Sequence, residues 1–133
     1  MAAEIFEDCS AVEECYEFML AYAAQGRSSD HGSKPGAQIR EFLQRAATAI
    51  AGVTQGYSQV VKEQRLEPVE KYQAFLVVLD RDAQDSLAAI NLVLAQPSIS
   101  SQLVDNLNAS THLRALITDL FLVTDILRSQ PNA

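Results

Sequence analysis

The chain has 133 residues, of which 48% are hydrophobic and 20% are charged, and its formal net charge is −7. This length and composition allow the chain to bury a core of its own, which argues against intrinsic disorder and against a required disulfide or metal. Residues 1–26 carry −6 of the net charge and no basic residue, so we expect neither nucleic acid nor an anionic membrane surface as a partner.

No apolar run in the sequence approaches the roughly 20 residues that are needed to span a bilayer. The acidic N-terminal segment also lacks the basic start of a secretory signal. We therefore predict an acidic cytoplasmic protein.

Apolar residues recur every three or four positions through four segments, which is the pattern of amphipathic helices. In the third segment this stripe consists of Tyr72, Leu76, Leu79, Ala83, Leu87, Ile90 and Leu94. The predicted helices span about residues 3–25, 37–64, 68–95 and 99–128, and a polar loop spans residues 26–36. Four amphipathic helices with short connections predict an all-α fold, an antiparallel up-down-up-down four-helix bundle in a single domain.

Several helix boundaries have identifiable signals. Gly26 is a typical stop for the first helix, although a capping box at Ser10 and Glu13 gives a rival start near residue 11. Pro68 suits the first turn of the third helix. The last segment is either one bent helix or two arms, with Asn108 as the N-cap of the second arm.

The sequence offers no catalytic motif and no metal or cofactor site. A di-metal bundle needs two Glu-x-x-His motifs, but His31 and His112 are the only histidines, and neither has a glutamate three residues before it. Cys9 and Cys15 are six residues apart and therefore lie on different sides of a helix. We interpret both cysteines as small buried side chains.

Two places could nevertheless hold a ligand. The polar loop carries Arg27, His31, Ser33 and Lys34 beside a helix N-terminus, which suits an anion, although a solvated connection explains the same residues. In the second helix, Gly52 and Gly56 form a ridge of small residues next to Tyr57. This ridge either permits close helix packing or leaves room for a small molecule.

A second apolar stripe lies off the main stripes of the last two predicted helices. It consists of Val77, Ala88, Leu92, Leu122 and Ile126. These positions predict a homodimer interface, unless the two helices are simply the more buried pair of one bundle. The charged cluster around Asp82, which falls near the edge of the main stripe, is interpreted as a solvated face.

The sequence therefore favours a non-catalytic interaction or regulatory protein that acts through protein–protein contacts. The acidic first helix could receive a basic partner protein. The alternative is a small-molecule-binding bundle, with enzymatic activity left open, whose pocket lies near the Gly52/Gly56 ridge and has His31 at its mouth.

Overall fold

A computed structural model describes residues 2–130 of the chain, with side chains from residue 4 onward. The described part is all-helical, as predicted, and contains five helices rather than four. These are α1 (Ala2–Ala24), α2 (Lys34–Glu63), α3 (Val69–Leu94), α4 (Ser101–Ala109) and α5 (Thr111–Arg128).

The fourth predicted helix is divided into α4 and α5, so the up-down four-helix bundle needs correction. The division falls at Ser110, two residues after the predicted N-cap Asn108, which is instead a buried residue of α4. Ser110 has an extended backbone (φ −62°, ψ 141°), and its hydroxyl donates to the carbonyl oxygen of Leu107 at 2.7 Å. The serine thus ends one helix and begins the next, because its side chain satisfies a carbonyl that the broken helix leaves free.

The predicted polar loop is three residues too long at its C-terminal end, because α2 begins at Lys34. Ser33 is the N-cap of α2, and its hydroxyl accepts a hydrogen bond from the backbone N–H of Gly36 at 3.0 Å. Pro35 lies in the first turn, where a missing N–H leaves no partner unsatisfied. The combination of an N-cap serine and a following proline was the available signal for this start.

The other boundaries lie close to the predictions. The first helix begins at Ala2 and not near residue 11, and it ends two residues before Gly26, which has a positive φ of 66°. The third helix begins at Val69, directly after Pro68, and the Glu67–Pro68 peptide bond is cis. Helix α4 begins at Ser101, with the hydroxyl of Ser100 accepting from the N–H of Leu103.

The core lies between the five helices. Helix α1 packs against α2, α4 and α5, and α3 packs against α2, α4 and α5. The largest fully buried side chains come from every helix except α4 and include Ile5, Met19, Tyr22, Ile39, Leu43, Ile50, Leu79, Ile90, Leu116, Leu120 and Leu127. Burial of these apolar side chains at helical spacing stabilises the fold.

Contacts across the helices show that the first three run antiparallel to their neighbours. Arg40, near the start of α2, bonds the carbonyl oxygen of Leu94 at the end of α3, and Tyr57, near the end of α2, bonds Tyr72 near the start of α3. A side chain built at Gly56 would meet Ile5 at the start of α1. As a result, the loop after α1 and the connection after α3 lie at the same end of the molecule, which we call the polar end.

Candidate functional site

The polar end is organised around Asp30, a buried carboxylate in the loop between α1 and α2. Asp30 accepts one hydrogen bond from Nε of Arg40 at 2.5 Å and another from the backbone N–H of Ile99 at 2.6 Å. Burial alone would raise the pKa of this carboxyl, but the hydrogen bonds from Arg40 and Ile99 outweigh that effect and lower the pKa. Asp30 is therefore ionised at neutral pH and joins the loop to both α2 and the segment before α4.

Arg40 uses its whole guanidinium group at this end. Besides the bond to Asp30, it donates to the carbonyl oxygen of Leu94 at 3.2 Å and to that of Gln96 at 2.8 Å. These carbonyls lie at and just beyond the C-terminus of α3, where a positive charge is favourable. The charge of Arg40 is thus neutralised by Asp30 and by the end of α3.

Ile99 is bonded through both sides of its backbone. Its N–H donates to Asp30, and its carbonyl oxygen accepts from the hydroxyl of Tyr22 at 2.7 Å. Ser101 makes a second connection, since its hydroxyl donates to the carbonyl oxygen of Tyr22 and accepts from the N–H of Arg27. The start of α4 is consequently fixed to the end of α1.

The structure brings together two of the four predicted anion-binding residues, since His31 and Ser33 line one depression and Arg27 and Lys34 do not. His31 is bonded through Nε2 to the carbonyl oxygen of Pro97 at 2.8 Å, and Ser33 caps α2. Arg27 donates to the side chain of Gln25 and lines a different depression from His31, and Lys34 is exposed. The polar loop therefore uses its side chains mainly to close the end of the helical core.

The Gly52/Gly56 ridge faces α1. A Cβ added at Gly52 would lie 3.8 Å from Oδ2 of Asp8, and one added at Gly56 would lie 4.0 Å from Cβ of Ile5. These are ordinary packing distances. The alternative prediction placed one pocket beside both the Gly52/Gly56 ridge and His31. These two places are far apart, because Gly52 is 21 residues from His31, or roughly 30 Å along the direction of α2.

Tyr57 does line a concave site, but on the other side of α2. This site, which we call the apolar cleft, has a volume of about 300 Å³ and lies where α2, α3 and α5 meet. Its lining residues are Tyr57, Pro68, Lys71, Tyr72, Phe75, Leu122, Val123, Ile126 and Leu127. Lys71 is the only charged residue among them.

The walls of the cleft are held by specific contacts. The hydroxyl of Tyr57 donates to the carbonyl oxygen of Tyr72 at 2.7 Å, and its ring meets that of Phe75 edge-on with centroids 6.4 Å apart. Burial, with a smaller contribution from Tyr72, raises the pKa of Tyr57 to about 12. Tyr57 is therefore a neutral hydrogen-bond donor that shapes the cleft, and it is not poised to act as a base.

The predicted interface residues all lie at or near the outer surface of α3 and α5. Val77 is 61% exposed, Leu92 is 66% exposed and Leu122 is 50% exposed, while Ala88 is also exposed. Ile126 is half-buried and lines the apolar cleft with Leu122. The second apolar stripe therefore faces outward in this chain.

Sequence reasoning missed a carboxyl pair between α3 and α5. Asp119 of α5 is only 9% exposed, and its Oδ2 atom is inaccessible and receives no hydrogen bond from an N–H or O–H group. Asp82 of α3 is half-buried and lies within hydrogen-bonding reach of Asp119. The half-burial of Asp82 agrees with its predicted place near the edge of the apolar stripe, but its proximity to Asp119 was not predicted. A signal was present, because Asp119 follows Leu116 by three positions and precedes Val123 by four.

Both cysteines are buried, free thiols, as expected from their spacing. Burial, reinforced by the neighbouring Glu13 carboxylate, raises the pKa of Cys9 to about 12. Burial raises the pKa of Cys15 to about 12 as well. Neither thiol has the lowered pKa of a nucleophile or a redox-active group.

In the part of the chain that the structure describes, no three His, Cys, Asp or Glu side chains are grouped to hold a metal ion. Within the same residues, no helix is long and apolar enough to cross a membrane. Comparison of the chain with protein-family models, with curated proteins and with solved structures finds no match.

Proposed function

We propose that this chain is a non-catalytic interaction or regulatory protein and that the outer surface of α3 and α5 binds a second copy of the chain. One observation carries this proposal. Among the described residues, every exposed large apolar side chain except Leu20 lies on α3 or α5; these side chains are Val69, Val77, Val78, Leu92, Phe121 and Leu122. Such a concentration of exposed apolar side chains is typical of a protein contact.

The distribution of charge also favours a second copy on this surface. Helix α3 has a net charge of −2 and α5 has a net charge of 0 with neutral histidine, whereas residues 1–26 carry −6. Two copies that meet through α3 and α5 therefore keep their strongly acidic α1 helices away from the contact. A symmetric dimer of this kind uses the same surface twice, so each exposed apolar side chain gains a covering surface.

The apolar cleft contributes to the same contact. Leu122 is 50% exposed and forms one wall of the cleft, so a side chain from the second copy could enter beside it. Val77 and Leu92 are exposed on α3, the helix that supplies another wall of the cleft, and Arg81 and Asp85 lie between them at helical spacing. A side chain of the second copy that enters the cleft would be a buried apolar anchor, and such anchors contribute most to affinity.

The test is a measurement of mass against protein concentration by sedimentation or light scattering. We expect a reversible dimer, at least a tenfold weaker dimer for Leu122→Glu, and an unchanged dimer for Leu20→Glu. Leu20 is a matched control because it is 46% exposed and lies on α1. A wild-type chain that stays monomeric up to about 1 mM, or an equal effect of the two variants, would overturn the proposal.

A second contact is proposed for the acidic surface of α1, which suits a basic partner protein. Glu4, Glu7, Glu14 and Glu17 are exposed, and Glu14 pairs with Arg45 of α2 at 3.2 Å. Polylysine binding across a salt titration tests this surface. We expect Glu7→Gln with Glu17→Gln to reduce the binding and the salt dependence together. Binding that does not change with salt would argue against an electrostatic partner.

The apolar cleft also supports the alternative function, binding of a small molecule, because its volume of about 300 Å³ is at the lower end of typical ligand sites. This alternative places the ligand between Tyr57, Phe75 and Ile126, away from the Gly52/Gly56 ridge. Native mass spectrometry of the purified protein distinguishes the two functions. A stoichiometric bound compound on a monomer would favour the ligand, and an empty dimer would favour self-association.

A further inference from the structure

A pair of carboxyl groups lies in the contact between α3 and α5. Only 9% of the surface of Asp119 is exposed, and its Oδ2 atom receives no hydrogen bond from an N–H or O–H group. Asp82 approaches from α3, but an ionised carboxylate can only accept hydrogen bonds. The two side chains satisfy each other only when one of them carries a proton and donates it to the other.

We propose that Asp82 and Asp119 share one proton across the contact between α3 and α5, and that loss of this proton separates the two helices and weakens self-association. The second half rests on the proposed function, because it concerns the same surface. With both groups ionised, two like charges would face each other in a poorly solvated place, where their repulsion is strong. With one proton between them, they connect the helices.

Among the described residues, no Lys, Arg or His forms an ion pair with Asp82 or Asp119, although Arg81 is next to Asp82 in the sequence. On the same side of α3 and α5, Asp85 lies 3.8 Å from Nδ1 of His112, and Lys71 lines the apolar cleft more than two turns from Asp82. On α5 itself, Arg114 lines a separate depression with Tyr16 of α1.

The remaining elements that pack on α5 present their charged groups elsewhere. From α1, Glu13 bonds the thiol of Cys9, and Phe6 lies under the guanidinium of Arg128 at 5.0 Å. From α4, Asp105 is exposed and shares a depression with Arg27 at the polar end. None of these groups is a recorded partner of Asp119.

The chemistry of the pair sets the pH range. Burial is the largest cause, followed by the hydrogen bond and the charge of Asp82, and together they raise the pKa of Asp119 from 3.8 to about 7. A raised carboxyl pKa means that the folded chain holds the proton more tightly than the unfolded chain. The stability of the α3–α5 contact therefore falls as pH rises from about 4 to about 7.

Movement at the pair would reach the proposed interface directly. Asp119 is one helical turn from Leu122 and Val123, and Asp82 is one turn from Val78. Leu122 and Val123 line the apolar cleft, and Val78 is exposed on α3. Separation of α3 from α5 at the carboxyl pair would thus displace the walls of the cleft.

Two measurements test the proposal separately. First, carboxyl carbon NMR on Asp119 at a concentration where the chain is monomeric reports the shared proton without any dimer. We expect a titration midpoint above about pH 6. In the Asp82→Asn variant the midpoint of Asp119 should fall, but it should stay above the ordinary value because burial, the largest cause, remains. A wild-type midpoint below about pH 5 would overturn the inference even if the dimer exists.

Second, the dimer dissociation constant is measured at pH 5.5 and at pH 8.5. We expect at least a tenfold weaker wild-type dimer at the higher pH and less than a twofold change for Asp119→Asn. His112→Gln and Asp125→Asn are controls, because His112 lies 3.8 Å from Asp85 of α3 and Asp125 is exposed on α5. A dissociation constant that does not change with pH, or that changes equally in Asp119→Asn, would overturn the link between the carboxyl pair and self-association. A chain that is monomeric at every concentration would overturn only the proposed function.

Discussion

Replacement of Asp30 by asparagine should destabilise the fold by a measurable and predictable amount. Asparagine keeps the shape of the side chain but removes the negative charge and replaces one acceptor oxygen with an NH₂ donor. Because Asp30 accepts from both Arg40 and Ile99, one of these two donors must then lose its acceptor. The charge of Arg40 also loses the partner that neutralises it.

The size of the effect follows from these contacts. A hydrogen bond to a charged group contributes about 1.5–3 kcal/mol, and a buried N–H without a partner costs a similar amount. The side chain of Arg40 is 29% exposed, so water regains part of its solvation and reduces the loss. We therefore expect Asp30→Asn to lower the free energy of unfolding by about 3 kcal/mol, or on the order of 10 °C in Tm for a chain of this size.

Urea unfolding followed by circular dichroism measures this difference, and Asp105→Asn is the control because Asp105 is exposed near the same end. The pKa of Asp30 is lowered in the folded chain, so its contribution is present above pH 3.8 and is lost as pH falls through the lowered value. The two curves should therefore converge in strong acid. A difference below about 0.5 kcal/mol at pH 7 would show that these contacts do not hold the polar end together.

Three further substitutions or reagents test the packing of the helices. Gly36→Ala should cost roughly 2–3 kcal/mol, because its Cβ would clash with the backbone carbonyl oxygen of Asp30. Gly52→Ala should gain about 1 kcal/mol, because its Cβ would lie at an ordinary distance of 3.8 Å from Oδ2 of Asp8; equal effects in urea unfolding would contradict the packing. Tyr57→Phe removes the hydrogen bond to the carbonyl oxygen of Tyr72 and should lower the free energy of unfolding by about 1 kcal/mol in the same assay. An unchanged unfolding midpoint would mean that this hydrogen bond contributes nothing to stability. Cys9 and Cys15 should react with iodoacetamide at pH 8 no faster than the protein unfolds, because burial raises their pKa values to about 12. Rapid labelling of the native chain would be inconsistent with their burial.

Much of the fold could be predicted because it depends on a periodic signal. The apolar stripes located the helices to within a few residues, and Gly26 marked the end of the first helix. The division at Ser110 was placed two residues early, since Asn and Ser are both good N-caps and only the tertiary packing selects between them. Local signals therefore predicted well which segments are helical. They predicted less well the residue at which the last long segment divides into two helices.

The candidate site was harder to predict because its residues meet only in the folded chain. Asp30 and Arg40 are ten residues apart on different elements, and nothing in the sequence between them indicates that they pair. The polar loop was predicted, with an anion site and a solvated connection as the two interpretations of its side chains, and the structure uses Ser33 for capping and His31 for a loop contact. The outward-facing stripe was predictable, since its exposure follows from helical spacing alone.

The two-sided bonding of Ile99 also bears on the order in which the chain can fold. Its N–H and carbonyl oxygen serve partners that are 69 and 77 residues away in sequence. During synthesis, a chain that has not yet reached residue 99 leaves Asp30 and Tyr22 without these partners, so the end of α1 cannot be completed. Contacts between residues so far apart in sequence carry a loop-closure cost and slow the folding of a chain. The two hydrogen bonds of Ile99 can therefore form only once residue 99 is present, so the polar end closes after the segments that contain Tyr22 and Asp30 have been made.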